Sequence, residues 1–233
     1  MHVRFVECSI PFDCGRIKNI PYPFFGGNRS ELCGFQEFKL TCRDNEYPII
    51  RIEEPEFLVL NINQSQYVMT IARLDLWNSP CPPKFVNTTL DFNNFNYYIP
   101  TDQNLTLFYG CPSGVNGLDG ENFSCSLDNT ANYFVSESIP GIHDLFEGYN
   151  TSIEVPILRT ALIDESVGLR NVLNQGFDVD YNNSWAITCG GCETSGGICG
   201  SDSSHTFVCF CHDGEQPLVC SSNGMHACFS SLS

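Results

Sequence analysis

Positive charge is scarce in this chain. Eleven lysines and arginines stand against 27 aspartates and glutamates, a formal net charge of −16 over 233 residues. Such a surplus repels nucleic acid at long range, and no nucleic-acid partner is expected. Long apolar runs are also missing: the longest, Phe-Leu-Val-Leu at 57–60, falls far short of the roughly 20 residues of a membrane helix, so no span is expected here. The opening MHVRFVECSI holds no apolar core of signal-peptide length, and the start is expected to be incomplete. Catalytic signatures are absent as well. There is no Gly-x-Ser-x-Gly, and His2, His143, His205, His212 and His226 stand in no nucleophile setting. The acidic pairs Glu53-Glu54 and Asp164-Glu165 are neighbours in sequence, which does not place two carboxylates across a cleft as glycoside hydrolysis demands. No kinase motif occurs. The residues read as a binding module, not an enzyme, with no cofactor.

What the chain does hold is cysteine. The fourteen are Cys8, Cys14, Cys33, Cys42, Cys81, Cys111, Cys125, Cys189, Cys192, Cys199, Cys209, Cys211, Cys220 and Cys228. The density exceeds cytosolic usage and the number is even, so all are disulfide candidates, enough for seven bridges. Asn-x-Ser/Thr acceptors begin at Asn28, Asn63, Asn87, Asn104, Asn122, Asn150 and Asn182. With 21 asparagines and 33 serines plus threonines, chance supplies about three. Both signals point to the secretory pathway and an extracellular location.

The hydropathy pattern is β-rich. Segments 38–42, 49–52, 57–62, 67–73 and 105–109 are short apolar or β-branched runs bounded by Pro, Asn, Gly or Asp. In 67–73 the alternation puts Tyr67, Met69 and Ile71 on one face of a half-buried strand. One short helix is expected between 164 and 176, with Val167, Leu169, Val172 and Leu173 as its stripe. Asp164 or Ser166 would cap its start and Gly176 its end. The fold class is therefore mostly β and disulfide-rich, two small β-rich modules with one short helix. Residues 1–51 carry seven basic and six acidic groups, a balance of +1 that leaves −17 for the remainder. That break suggests a join near the Pro-rich 79–83.

Three segments carry a resemblance. The first runs Cys14-Gly15, then 20–24 (Ile-Pro-Tyr-Pro-Phe), Cys33-Gly34 and 38–42 (Phe-Lys-Leu-Thr-Cys), closing with 67–81 and its Ala72-Arg73-Leu74-Asp75-Leu76. The second is 104–111, Asn-Leu-Thr-Leu-Phe-Tyr-Gly-Cys. The third begins at Gly176-Phe177 and continues with Cys189-x-x-Cys192, Ser195-Gly196-Gly197-x-Cys199-Gly200 and Phe207-x-Cys209-x-Cys211-x-Asp213-Gly214. Together they resemble the extracellular region of plant wall-associated and leaf-rust-resistance-type receptor-like kinases. The resemblance implies a galacturonan-binding domain over 8–90, a C-terminal wall-associated-kinase module over 91–214 and an atypical polar tail over 215–233. Such a receptor continues into a membrane helix and a Ser/Thr kinase. Here nothing follows the tail, so an excised ectodomain or a short secreted relative is expected.

The implied ligand is cell-wall pectin or oligogalacturonide, with calcium bridging as an assisted route. Tyr22 and Phe24 could stack on sugar rings, and Arg16, Lys18, Arg29 and Lys39 could pair with uronate carboxylates. The same Pro-Tyr-Pro-Phe can equally be a buried turn. A −16 chain also repels a polyanion beyond about 8–10 Å, so binding needs a local basic face. The alternative function is a protein- or peptide-interaction ectodomain in defence signalling, its partner a co-receptor or secreted peptide. Cys189, Cys192, Cys199, Cys209, Cys211 and His212 have spacing acceptable for zinc. The sequons favour a disulfide knot instead, with Ser195-Gly196-Gly197 as a tight turn inside it, and no metal is expected.

Overall fold

A computed structural model describes residues 1–42, 46–111, 122–125, 131–136, 148–163 and 168–221. In chain order its first elements are α1 (Val3–Ser9), β1 (Phe25–Gly26), β2 (Lys39–Thr41), β3 (Ile49–Arg51), β4 (Glu56–Asn63), β5 (Val68–Arg73), β6 (Phe95–Tyr97), β7 (Asp102–Cys111) and β8 (Asn122–Phe123). They continue with β9 (Ala131–Ser136), β10 (Thr151–Leu158), α2 (Leu169–Gln175), β11 (Phe177–Tyr181), α3 (Ala186–Thr194), β12 (Ile198–Ser201), β13 (Phe207–Phe210) and β14 (Glu215–Gln216). The chain is mostly β, as expected. It divides into two compact units, each assembled from separated stretches of sequence.

The first unit draws on Met1–Asp13, Lys18–Lys39 and the described residues from Asn183 on. Strands β12, β13 and β14 form an antiparallel sheet in which Cys199 lies opposite Cys209. Helix α3 supplies Cys189 and Cys192, and an i, i+3 spacing puts both thiols on one helical face. They bond to Cys199 and Cys209, and Cys211 bonds to Cys220. With these sulfurs joined to one another, the cluster is a disulfide knot. His212 lies against Phe5 with ring centroids 4.1 Å apart. Gly197 turns inside the knot, its N–H donating to the Cys192 carbonyl at 2.9 Å. Cys8–Cys33 ties α1 to the same unit, packing with Phe210, Phe5 and Leu32.

The second unit comprises Cys14–Ile17 and Leu40–Asn182. Its larger sheet runs β2-β3-β4-β5-β11-β6, every neighbour antiparallel. A second sheet runs β10-β7-β9-β8. Along β7 the period-2 alternation sends Leu105, Leu107 and Tyr109 to one face. There they meet Ile153, Val155 and Ile157 of β10 and Val172 and Leu173 of α2, all buried. Asp102, Asn104 and Thr106 take the opposite face. Bridges Cys14–Cys42 and Cys81–Cys125 close this unit.

The expected strands all form, with one correction. Segment 67–73 is not half-buried: in β5 Val68, Met69, Ile71, Ala72 and Arg73 are all buried, because β4 and β11 flank it in the middle of the sheet. The expected helix is α2, with Leu169, Val172 and Leu173 inward and Gly176 at its end, its N–H donating to Leu173 O at 3.2 Å. Gly168 occupies the N-cap position, and Asp164, Ser166 and Val167 lie outside the described residues. Among the described residues three short helices are present where one was expected. Helix α1 lacks a capping side chain, and α3 contains Gly190-Gly191, so neither carries the usual markers. Six bridges form among the described residues, and Cys111 is buried and unpaired. Cys228 lies outside them. Residues 79–83, the expected join, lie within the second unit.

Candidate functional site

The Tyr-Pro-Phe motif folds inward. Phe24 is fully buried and Tyr22 is 6% exposed. Tyr22 stands edge-on to Trp185 at 5.0 Å and also meets Phe35 and Phe207. Phe24 stands edge-on to Phe38 at 5.4 Å. The Tyr22 hydroxyl is buried with no hydrogen-bond partner among the described residues, and burial raises its pKa well above the ordinary phenol value. Neither ring presents a face to solvent in this conformation, so the expected stacking platform is core. The adjoining Cys33-Gly34 explains part of this: a Cβ on Gly34 would sit 2.3 Å from the Pro23 carbonyl oxygen. Only a glycine lets the two turns close on each other.

The four cations divide by burial. Arg29 is half-buried, its guanidinium donating to the carbonyls of Cys8 at 3.2 Å and Ile20 at 3.4 Å, 6.0 Å from the centre of the Phe12 ring. Burial lowers its pKa from the usual arginine value. It fastens α1 to the Tyr-Pro-Phe turn and is a structural clamp. Lys18 and Lys39 are exposed, Lys18 within 3.6 Å of the Asp13 carboxylate. Arg16, in the second unit, is exposed with its guanidinium 5.1 Å from the centre of the Tyr47 ring. Arg16, Lys18 and Lys39 are therefore the expected ligand residues that reach solvent.

The motif Ala72-Arg73-Leu74-Asp75-Leu76 is also structural. Arg73 is 2% exposed, and its guanidinium grips both Asp75 carboxylate oxygens at 3.0 and 2.7 Å. Its remaining nitrogen donates to the Val86 carbonyl at 2.7 Å, pinning the chain that follows. Such a fork-to-carboxylate pair is the geometry arginine provides and lysine does not.

All seven sequon asparagines are accessible. Asn28, Asn87, Asn104, Asn122 and Asn150 are exposed, and Asn63 and Asn182 are half-buried.

A cleft of about 510 Å³ opens in the second unit where β6, β7 and β10 meet. Tyr97, Ile99 and Pro156 give it apolar wall, while Gln103, Glu154 and Arg159 give it polar wall. The Tyr97 hydroxyl donates to the Thr88 carbonyl at 2.8 Å. Burial and the nearby Glu154 and Asp102 carboxylates push its pKa up to about 12. Asp102 is 5% exposed. Its Oδ1 accepts from the Asp178 N–H at 3.0 Å, and Oδ2 has no partner among the described residues. Burial, with the Asp178 carboxylate adding to it, raises the Asp102 pKa to about 6. No sequence motif announces this cleft, because strand pairing gathers residues some fifty positions apart: Glu154 faces Thr106 and Pro156 faces Asn104.

Two family models match the sequence. "Wall-associated receptor kinase galacturonan-binding" covers residues 8–73, and "Wall-associated receptor kinase C-terminal" covers 124–214. The chain is an ectodomain of the wall-associated receptor kinase class, and neither matched module is a kinase domain. Within that class it is similar to the leaf-rust-10-type receptor-like kinases. Among Arabidopsis thaliana relatives, leaf rust 10 disease-resistance locus receptor-like protein kinase-like 1.4 is 29% identical over 91% of this chain and 31% of its own length. The relative numbered 2.1 is 27% identical over 94% of this chain and 36% of its own. The relative numbered 2.2 is 30% identical over 75% of this chain and 28% of its own. The chain thus spans about a third of the length of the curated relatives it matches. No solved structure matches it. Family and disulfide-rich fold together fit an extracellular location. Among the described residues no helix is long and apolar enough to cross a membrane.

Proposed function

We propose that this chain is an extracellular ectodomain that binds the galacturonan of pectin, in a plant receptor-like kinase or a secreted relative that senses the cell wall. The galacturonan-binding description of the family matched over 8–73 carries the reading. In sequence, 8–90 is the galacturonan-binding segment of this proposal, 91–214 the C-terminal module and 215–233 a polar tail, bounds that the two compact units do not follow. Charge supports it. Segment 8–73 holds seven basic against eight acidic groups, so nearly all of the −16 lies elsewhere. Exposed Arg16, Lys18 and Lys39 pair with uronate carboxylates, and calcium bridges acidic protein to acidic polymer where cations run out. The site of action is the cell wall, at the outer face of the plasma membrane when the chain is part of a receptor that carries the kinase.

A second reading has its own support. Burial of Tyr22 and Phe24 removes the aromatic platform that sugar ligands favour, which suits a protein- or peptide-contact ectodomain in defence signalling, with a co-receptor or secreted peptide as partner. Calorimetric titration with oligogalacturonides, with and without calcium, separates the two. Saturable binding is expected, weakened at least about tenfold when Arg16, Lys18 and Lys39 all become Ala, with Tm unchanged. Absence of heat in both buffers would leave only the protein-contact reading. Arg29→Ala is no test of the ligand, because that residue clamps the fold.

A further inference from the structure

We infer that the cleft between β6, β7 and β10 seats the first sugars of an N-linked glycan carried on Asn104, so that the chain's own carbohydrate completes the second unit. The inference rests on the secretory reading above and adds to it a particular site and role.

Asn104 itself lines the cleft. It is exposed on β7 directly opposite Pro156, and Thr106, the hydroxyl residue of its sequon, lies opposite Glu154. A glycan attached to a lining residue starts at the edge of the space that residue borders, so its first sugars can reach the cleft walls. Tethering also makes its reducing end present at high effective concentration, with no free ligand needed.

The wall suits such an occupant. Sugar rings are amphipathic, and they favour one apolar side with planar hydrogen-bonding groups on the other. Tyr97 and Pro156 provide the first, with Ile99 standing 74% exposed at the rim, an exposure that an occupant would relieve. Gln103, Glu154 and Arg159 provide the second. The charges nearly cancel, one guanidinium against Glu154 and an Asp102 that carries a proton below about pH 6. A uronate would find one cation facing carboxylates, whereas a neutral, hydroxyl-rich sugar meets no unbalanced charge. At about 510 Å³ the space fits a small ligand and not a polymer. A second sequon touches the same place: Asn87 accepts the Glu154 N–H at 2.9 Å, and Thr88 lines the cleft.

The test uses the glycosylated chain secreted from plant cells. Peptide mapping after enzymatic glycan release in heavy-oxygen water is expected to mark Asn104. Thr106→Val, which removes the sequon and keeps Asn104 in place, is expected to lower Tm by about 2–4 °C. It should also speed hydrogen exchange in 97–104 and 153–159. Asn150→Gln serves as the control and should move neither. Arg159→Ala made in the Thr106→Val background should lose less Tm than it does in the glycosylated chain. Glycans at other sequons with none on Asn104 would overturn the inference while leaving the secretory reading intact. A chain without any glycan would overturn that reading as well. An occupied Asn104 whose removal changes neither Tm nor exchange would show the cleft vacant and also overturn it.

Discussion

Asp102 shows how one side chain ties stability to acidity. It is nearly buried, one oxygen engaged by the Asp178 N–H and the other without a partner among the described residues. Its pKa stands at about 6, above the 3.8 of a free aspartate. Between about pH 4 and 6 the folded chain therefore keeps a proton that the unfolded chain has released. Stability from this group rises as pH falls through 6, levels off below 4, and is lost as pH climbs. Asp102→Asn abolishes the titration and is expected to gain about 1–3 kcal/mol at pH 7 while gaining little at pH 4. Urea melts at the two pH values check it, and an equal effect at both would refute the assignment. Residue types alone showed Arg16, Lys18, Arg29 and Lys39 as cations in one stretch, and three of them do reach solvent. They could not show that Arg29 answers carbonyls instead of ligand, because a carbonyl twenty-one residues away leaves no mark on local sequence. Tyr22 and Phe24 stayed open between stacking platform and buried turn for a related reason: an aromatic beside prolines reads the same whether its face is open or, as for Tyr22, covered by Trp185.

Among the elements, legibility followed period. β7 was legible over 105–109, as was α2 by its i, i+3, i+4 stripe, whereas β10, whose Ile153, Val155 and Ile157 alternate just as cleanly, was not singled out. Helix α3 was not, because Gly190-Gly191 lowers helix propensity and bridges to β12 and β13 restore what propensity withholds. The knot leaves no room at Gly197, where a Cβ would stand 2.4 Å from the Cys209 sulfur and 2.7 Å from those of Cys192 and Cys220. Gly197→Ala is thus expected to cost more than the about 1 kcal/mol typical of a mutation. Its signature would be mispaired bridges on refolding, read by peptide mapping. Gly190→Ala, with open space around its Cβ, should instead stabilise α3 slightly. Native bridging in Gly197→Ala with unchanged Tm would show the knot looser than drawn.

Over the whole molecule, charge and ligand pull in different directions. The net −16 repels a polyuronate at distance, whereas under the proposed function exposed cations attract it on contact. Salt screens both, but they act on different rates: repulsion governs encounter, ion pairs govern residence. Added sodium chloride is therefore expected to raise the association rate with oligogalacturonides and to raise the dissociation rate too. Stopped-flow or surface-binding kinetics would show it, and an association rate falling with salt would mean that attraction already operates at long range.

The first unit is closed by residues far apart in the chain. The Ser201 hydroxyl donates to the Gly34 carbonyl across 167 positions at 2.7 Å, and Trp185 covers Tyr22. During synthesis, at about 5–20 residues per second, the N-terminal turn must wait roughly 10–30 s for those partners to leave the ribosome. In that interval its aromatic rings lack these covers. Any shortened version that stops at the end of the second unit never covers them, so the galacturonan-matched segment depends for its finished surface on the last part of the chain to be made.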